Sequence, residues 1–329
     1  MQIHRTLHAT GMPLGLAIGN FDGVHIGHQA ILRETVNNAH RLDAEAAALT
    51  FEPLPREFFA RHNSGSVPPT RLSNLREKTL EISKAGIHHL FVCRFDHRFA
   101  GQSPQAFIDS LCTLQVKWLM VGEDFRFGAH RSGDIQMLID AGRRYGFEVK
   151  AMPEVRCGNL RASSTAVREA LAVGNLSLAR QLLRRFFTIS GRVVHGKKIG
   201  RTLGFPTANI LLTPRLRTQI PPLSGIFAVR CQSVTRGLEG AAGKTEPIFN
   251  GVASFGTNPV VLSENRYLLE VFLFDFSGDL YGQRLEIAFI EKIRDEQKFT
   301  SLDALVSQMH DDTRRAKNIL RTILHGKES

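Results

Sequence analysis

The spacing of apolar residues changes once along this chain, at Phe187, and that change constrains the fold more than any other feature. Before it, short apolar runs at 14–18, 46–51, 87–95, 116–122 and 147–153 alternate with amphipathic stretches at Gln29–Leu42, Leu75–Ala85, Pro104–Leu114 and Ile135–Tyr145. Such alternation is the pattern of a parallel sheet with crossover helices, so a doubly wound α/β layer of five strands is expected. Ser103 as N-cap with Pro104 behind it marks the start of the third helix. Further helices begin near Ser163 or Ser164 and run from Leu176 to Arg184. After the change, runs at 187–194, 207–212, 225–234, 247–256, 267–276 and 285–294 are separated by Gly- and Pro-bearing turns and suggest a six-stranded β-barrel. Ser301 then caps a terminal helix whose stripe of Leu302, Leu305, Val306 and Met309 is expected to pack on the barrel. The expected domains are 1–186 and 187–329, each long enough to bury its own core. The polar segment 235–246 reads as an exposed loop.

Composition narrows the functional classes. No run approaches the roughly 20 apolar residues of a membrane span, and the opening MQIHRTLHATGMPLG lacks the apolar core of a secretion signal. A soluble cytoplasmic protein without a membrane partner is expected. Cys93, Cys112, Cys157 and Cys231 form no Cys-x-x-Cys pair and read as reduced and chemically idle. The formal net charge of +11 is spread out, with no aromatic-interleaved basic patch, which argues against a nucleic-acid partner. Small anionic substrates account for it as well, and a basic surface without a special role is the other option. Oligomeric state is left open.

Two segments carry candidate chemistry. GNFDGVHIGH, residues 19–28, follows the first apolar run and precedes a helix, a turn at which α/β folds hold phosphates. Gly23 and Gly27 remove side chains so that backbone and the imidazoles of His25 and His28 can approach a polyphosphate. Imidazole can then stabilise charge developing during transfer. Ser163, Ser164 and Thr165 set hydroxyls and backbone N–H groups at a helix start, with Arg168 about one turn inside, an end that favours anions.

GNFDGVHIGH and RASSTAVR resemble the paired signatures of the nucleotidyltransferase superfamily. FEPLPREFF at 51–59, FDHRFAGQSPQAFI at 95–108 and VGEDFRFGAHRSGD at 121–134 resemble the further motifs of the flavin-adenylating module of bacterial riboflavin kinase/FAD synthetases. The resemblance implies a Rossmann-like nucleotidyltransferase domain with His25 and His28 on the ATP phosphates and Asn20 and Asp22 shaping their loop. Gly19, Phe21 and Gly23 complete that ATP-binding turn, while Ser164, Thr165 and Arg168 close over the triphosphate. Asp124, Phe125 and Arg126 would help to wall the flavin and nucleotide. Glu52 stands where the family commonly has Asp. Phe51, Phe58 and Phe59 either line a flavin pocket or pack in the core.

In the second half, Pro206 imposes an extended approach, in which Thr207 and Asn209 point to one side of the chain. Their oxygens suit Mg²⁺ carried by ATP beneath a Gly-rich flap at 195–200, although a plain turn into a barrel strand reads equally well. In the strand from Tyr267 to Phe276, alternation puts Glu270 on the face of Leu268, Phe272, Phe274 and Phe276. A carboxylate desolvated there suits a general base, and a Glu paired with an Arg at the barrel mouth is the alternative.

GRTLGFPTANI, PLSGIFAV, LEVFLFDFSGDLYGQ and IRDEQKFTSLDAL resemble, in order, the motifs of the riboflavin kinase domain. That resemblance implies Gly196, Lys197, Gly200, Thr207 and Asn209 on Mg-ATP, Glu270 activating the ribityl hydroxyl, and Arg294, Glu296 and Phe299 beside the isoalloxazine. Gly256-Thr257-Asn258-Pro259-Val260 departs from the family's Gly-x-Arg-Pro-Thr, with Arg266 as a possible compensating cation. The expected function is therefore two ATP-dependent steps, riboflavin to FMN and FMN to FAD. The alternatives are an adenylyltransferase with a weakened kinase and a non-catalytic flavin- or nucleotide-binding regulator.

Overall fold

The computed structural model describes residues 1–62, 66, 69–196, 203–212, 222–234, 247–256 and 267–325. Contacts divide the chain into two compact units, 1–69 with 73–166, and 70–72 with 167–329. The division falls inside a helix, earlier than the change of sequence texture at 187, because the helix at Leu176–Leu183 packs on barrel strands.

In the first unit, β1 (Gln2–His4), β2 (Leu14–Ile18), β3 (Glu45–Glu52), β4 (His89–Arg94), β5 (Val116–Gly122) and β6 (Glu148–Met152) form one parallel sheet in the order β1-β4-β3-β2-β5-β6. Five strands fall on the expected runs. The sixth, β1, is short and polar and gives no apolar signal; it is held by pairing with β4. Successive strand residues enter opposite cores: Leu16, Leu49, Phe91 and Leu119 on one face, Ala17, Ala48, Leu90 and Met120 on the other. Both faces are therefore covered, as a doubly wound sheet requires.

The helices are α1 (Ile26–Arg41), α2 (Pro55–His62), α3 (Leu75–Lys84), α4 (His97–Ala100), α5 (Pro104–Thr113), α6 (Ile135–Tyr145), α7 (Ser164–Ala172) and α8 (Leu176–Leu183). Short α2 and α4 were not expected from the sequence. Gly15 lets α1 lie close on β2, since a Cβ there would stand 2.8 Å from the Ala39 Cβ. Asn74 and Glu77 form a capping box that fixes the start of α3. A small hairpin, β7 (Arg156–Cys157) and β8 (Leu160–Arg161), precedes α7.

In the second unit, β9 (Phe187–Val194), β10 (Thr207–Leu212), β11 (Gly225–Ser233), β12 (Ile248–Phe255), β13 (Tyr267–Leu273) and β14 (Arg284–Arg294) close into an antiparallel barrel in the order β10-β13-β12-β11-β14-β9. Ile210, Phe227, Leu269, Val271 and Ile287 are among its fully buried residues. The terminal helix α9 (Leu302–His325) is capped by Ser301, whose Oγ accepts from the Ala304 N–H at 3.2 Å. Its packing departs from the expected stripe: Leu302 is 58% exposed. Asp312, Ala316 and Leu320, spaced four apart, are the buried positions, and Ala316 and Leu320 pack with Ala228, Phe274 and Ile290. The expected loop at 235–246 lies outside the described residues. None of the described helices is long and apolar enough to cross a membrane.

Candidate functional site

Strand order reverses between β2 and β5, and the crevice at the carboxyl ends of such strands is where open α/β sheets bind ligands. A cavity of about 1080 Å³ opens there. Gly19, Asn20, His25, Gly27, His28 and Ser163 line one part of it, and Phe51, Phe58, Phe59, Phe95, Phe99 and Phe125 another.

The polar end is a tightly held turn. Phe21, Gly23 and Val24 have φ of +48°, +80° and +43°, so two non-glycine residues hold a left-handed conformation. For Val24, β-branched, this is strained backbone of the kind that persists only when neighbours over-determine it. They do: the Ser73 N–H donates to Asp22 Oδ1 at 3.2 Å, the Gly23 N–H to Ser73 Oγ at 3.1 Å, and Ser164 Oγ to the Asp22 carbonyl at 2.9 Å. Thr50 Oγ1 donates to the Asn20 carbonyl at 3.1 Å. Asp22 thus helps to shape the loop, and the hydroxyl of Ser164, expected over the triphosphate, is bonded to it.

His25 is the residue before α1, only 6% exposed, and its ring stacks on His28 with centroids 3.8 Å apart. Gly27 permits this, since a Cβ there would lie 3.1 Å from His25 Cε1. Desolvation, then His25 and Lys78, push the His28 pKa well below 6.5, so its imidazole is neutral at physiological pH. Among the described residues, its Nδ1 is buried without a hydrogen-bond partner.

Ser163 caps α7, its Oγ accepting from the Ala166 N–H at 3.1 Å, and Thr165 is exposed. Arg168, one turn further, donates from Nε to the Thr70 carbonyl; both residues belong to the second unit.

At the other end the aromatics interlock. Phe51 meets Phe95 and Phe99 edge-on at 5.7 and 5.4 Å, and Phe58 meets Phe59 and Phe95 at 5.4 Å. All five line the cavity, so Phe51 and Phe58 are at once core and wall. Asp124, Phe125 and Arg126 line it; Arg161 donates to Asp124 at 2.6 Å and Arg126 to Asp134 at 3.3 Å. Arg56, His62, His97 and Arg131 also line it and were missed, because loop-borne or helix-end residues have no period to betray them.

In the barrel, register puts Asn209, Glu270 and Ser254 in one row across β10, β13 and β12, with Thr207, Phe272 and Val252 in the adjacent same-facing row. Leu269 and Val271, fully buried, face the opposite way. Glu270 keeps an exposed side, yet the atoms packed around its carboxyl desolvate it and raise its pKa. Asn209 is buried against Gly196, where a Cβ would collide with its amide. Gly256 similarly admits Glu296, whose Oε1 would lie 2.3 Å from a Cβ. Arg294 is held by the buried Asp312, donating from Nε at 2.9 Å and Nη2 at 2.7 Å, and lies 5.8 Å from the Phe299 ring. That ion pair commits its guanidinium to fastening α9. Lys197, Gly200, the segment 257–260 and Arg266 lie outside the described residues.

Residues 10–166 match the family model described as FAD synthetase, and 183–320 the one described as riboflavin kinase. The chain is 44% identical over 322 residues to a bifunctional riboflavin kinase/FMN adenylyltransferase of Haemophilus influenzae, covering 96% of this chain and 98% of that one. It is 43% identical to the Escherichia coli protein of the same description, covering 96% and 95%. A solved structure described as a macrolide-efflux protein from Streptococcus pneumoniae superposes with a TM-score of 0.78 at 26% identity, over 97% of this chain and 99% of that one.

Proposed function

The chain belongs to the family of bifunctional riboflavin kinase/FMN adenylyltransferases, and we propose that it converts riboflavin to FMN and FMN to FAD. The observation that carries the adenylyl-transfer half is one cavity with a histidine-bearing phosphate turn at one end and aromatic walls at the other. FMN has that same polarity, a flat ring system joined to a phosphate. With the ring against the phenylalanines, its phosphate oxygen attacks the α-phosphorus of ATP and pyrophosphate leaves. His25 and His28 donate hydrogen bonds to the phosphoryl oxygens, and the pinned turn places them before substrate arrives. Asp124, Phe125 and Arg126 bound the same cavity.

In the barrel, Glu270 takes the proton of the ribityl hydroxyl as that oxygen attacks the γ-phosphorus of a second ATP, and ADP leaves. Its raised pKa makes it a stronger base than an ordinary carboxylate. Thr207 and the buried Asn209 lie in adjacent rows of that face and offer neutral oxygens. These fit a Mg²⁺ ion that keeps phosphate and water ligands. Bound there, Mg²⁺ would neutralise phosphate charge.

A chromatographic time course of the purified protein with Mg-ATP, in parallel tubes of riboflavin or FMN, tests both steps. FMN followed by FAD from riboflavin is expected. FAD only from supplied FMN would reject the kinase half, and no product in either tube would reject both.

A further inference from the structure

Lys78 is 1% exposed, a burial that lysine side chains rarely tolerate. It sits in the first turn of α3, on the stripe of Leu75, Thr79 and Ile82, and the Asn74–Glu77 capping box fixes that turn. Its Nζ donates to Thr50 Oγ1 at 3.3 Å, and Thr50 Oγ1 donates onward to the Asn20 carbonyl at 3.1 Å. An ammonium thus ends a two-bond chain reaching the residue that opens the phosphate turn. A charged donor polarises the hydroxyl between them and strengthens the second bond. Burying an ammonium is costly, and a stability role alone would be served as well by an apolar side chain at this position.

We propose that Lys78 is a positioning residue for adenylyl transfer, holding the Asn20 end of the phosphate turn through Thr50. The inference rests on the adenylyl-transfer reading of this cavity. Lys78 stands one hydrogen-bonded residue behind the turn and does not itself line the cavity. It also works on His28: Lys78 is one of the causes of its lowered pKa, after burial and beside His25. Among the described residues of the first unit, the buried carboxylates are Asp22 in the turn and Glu57 on α2.

The test uses the full chain with Lys78→Met, which keeps the stem and removes the charge, and Thr50→Val, which keeps shape and removes the relay. FAD formation from FMN is followed at varied ATP, and the His28 titration by NMR. Lys78→Met is expected to lower kcat/KM at least tenfold and to raise the His28 titration midpoint. Thr50→Val should raise the KM for ATP severalfold and leave that midpoint in place. A folded Lys78→Met within twofold of wild type, with His28 titrating as before, would overturn the proposal. Should Lys78→Met fail to fold, a Thr50→Val protein with unaltered ATP kinetics overturns it equally. A wild-type protein that forms no FAD sinks the reading of the cavity, while the His28 midpoint, which needs no turnover, still decides whether the charge acts there.

Discussion

His28 combines two properties that separate it from an ordinary surface histidine: a ring stacked on His25 and a pKa pushed well below 6.5 by burial, His25 and Lys78. A neutral imidazole donates from one nitrogen only, so its contribution is a directed hydrogen bond rather than a diffuse charge. Replacing it with Ala removes that donor, and loss of one such donor costs roughly 10²–10³ in rate. His28→Ala should therefore lose FAD formation to that extent and keep FMN formation from riboflavin; comparable FAD turnover in an assay supplied with FMN would remove His28 from the chemistry. The stability consequence has a definite sign. Because the folded pKa lies below the unfolded value near 6.5, the unfolded chain binds the extra proton, and the first unit loses stability as pH falls below that value. Glu270 shifts the opposite way, its carboxyl raised by desolvation. As a base it acts only when ionised, so kinase activity should fall on the acid side at a pH above the 4.5 of an unperturbed carboxyl. Glu270→Gln should abolish that activity at all pH values while supplied FMN is still adenylylated; a retained acid limb in the variant would assign the titration elsewhere.

Elements with a period were legible in the sequence, and those without one were not. β2 to β6 announce themselves through apolar runs, whereas β1 is Gln-Ile-His and is selected by its partner strand. Its anchorage is polar: His89 Nε2 donates to Glu45 at 2.6 Å, and His89 Nδ1 and His4 Nε2 share a hydrogen bond at 2.9 Å. Desolvation, His89 and His8 lower the His4 pKa, so its protonation on acidification opposes the docked strand. Faster amide exchange at β1 than at β2 to β5 below pH 6.5 is the expected result, and uniform exchange would deny the histidine chain this role. In the site, the glycine-framed histidines were readable because their spacing is local. The bonds that tie Asp22 to Ser73 and Ser164 to the Asp22 carbonyl left no such signal, since they join residues distant in sequence. Lys78 did leave a signal, a lysine on an apolar helical stripe. At α9 the legible stripe was the wrong one. The decisive contact is Arg294–Asp312, bidentate, with the carboxylate buried. Asp312→Ala leaves an uncompensated guanidinium and should cost about 3–5 kcal/mol, the usual price of breaking a buried pair, read as lost helix docking in a denaturant melt of the second unit.

At the scale of the whole molecule, each unit holds its own hydrophobic core, two clusters flanking the parallel sheet in one and a closed barrel in the other. Under the proposed function, the product of the barrel is the substrate of the sheet domain. A lesion confined to one core should then separate the two activities, and Gly15 is the place to make it. A Cβ at this position would stand 2.8 Å from the Ala39 Cβ and 3.1 Å from its Cα, against helix backbone that cannot turn away as a long side chain would. Gly15→Val adds two methyl groups beyond that Cβ, and overpacking of this kind costs about 1–3 kcal/mol. Spread over a domain of this size, each kcal/mol lowers the melting temperature by roughly 2–4 °C. Since β2 ends where the phosphate turn begins, the loss reaches the cavity directly. On stepwise heating, Gly15→Val should stop making FAD from FMN several degrees below wild type, while FMN formation from riboflavin falls at the wild-type temperature. If the two activities fell together in the variant, the units would share one cooperative transition, and neither core could be said to sustain its own site.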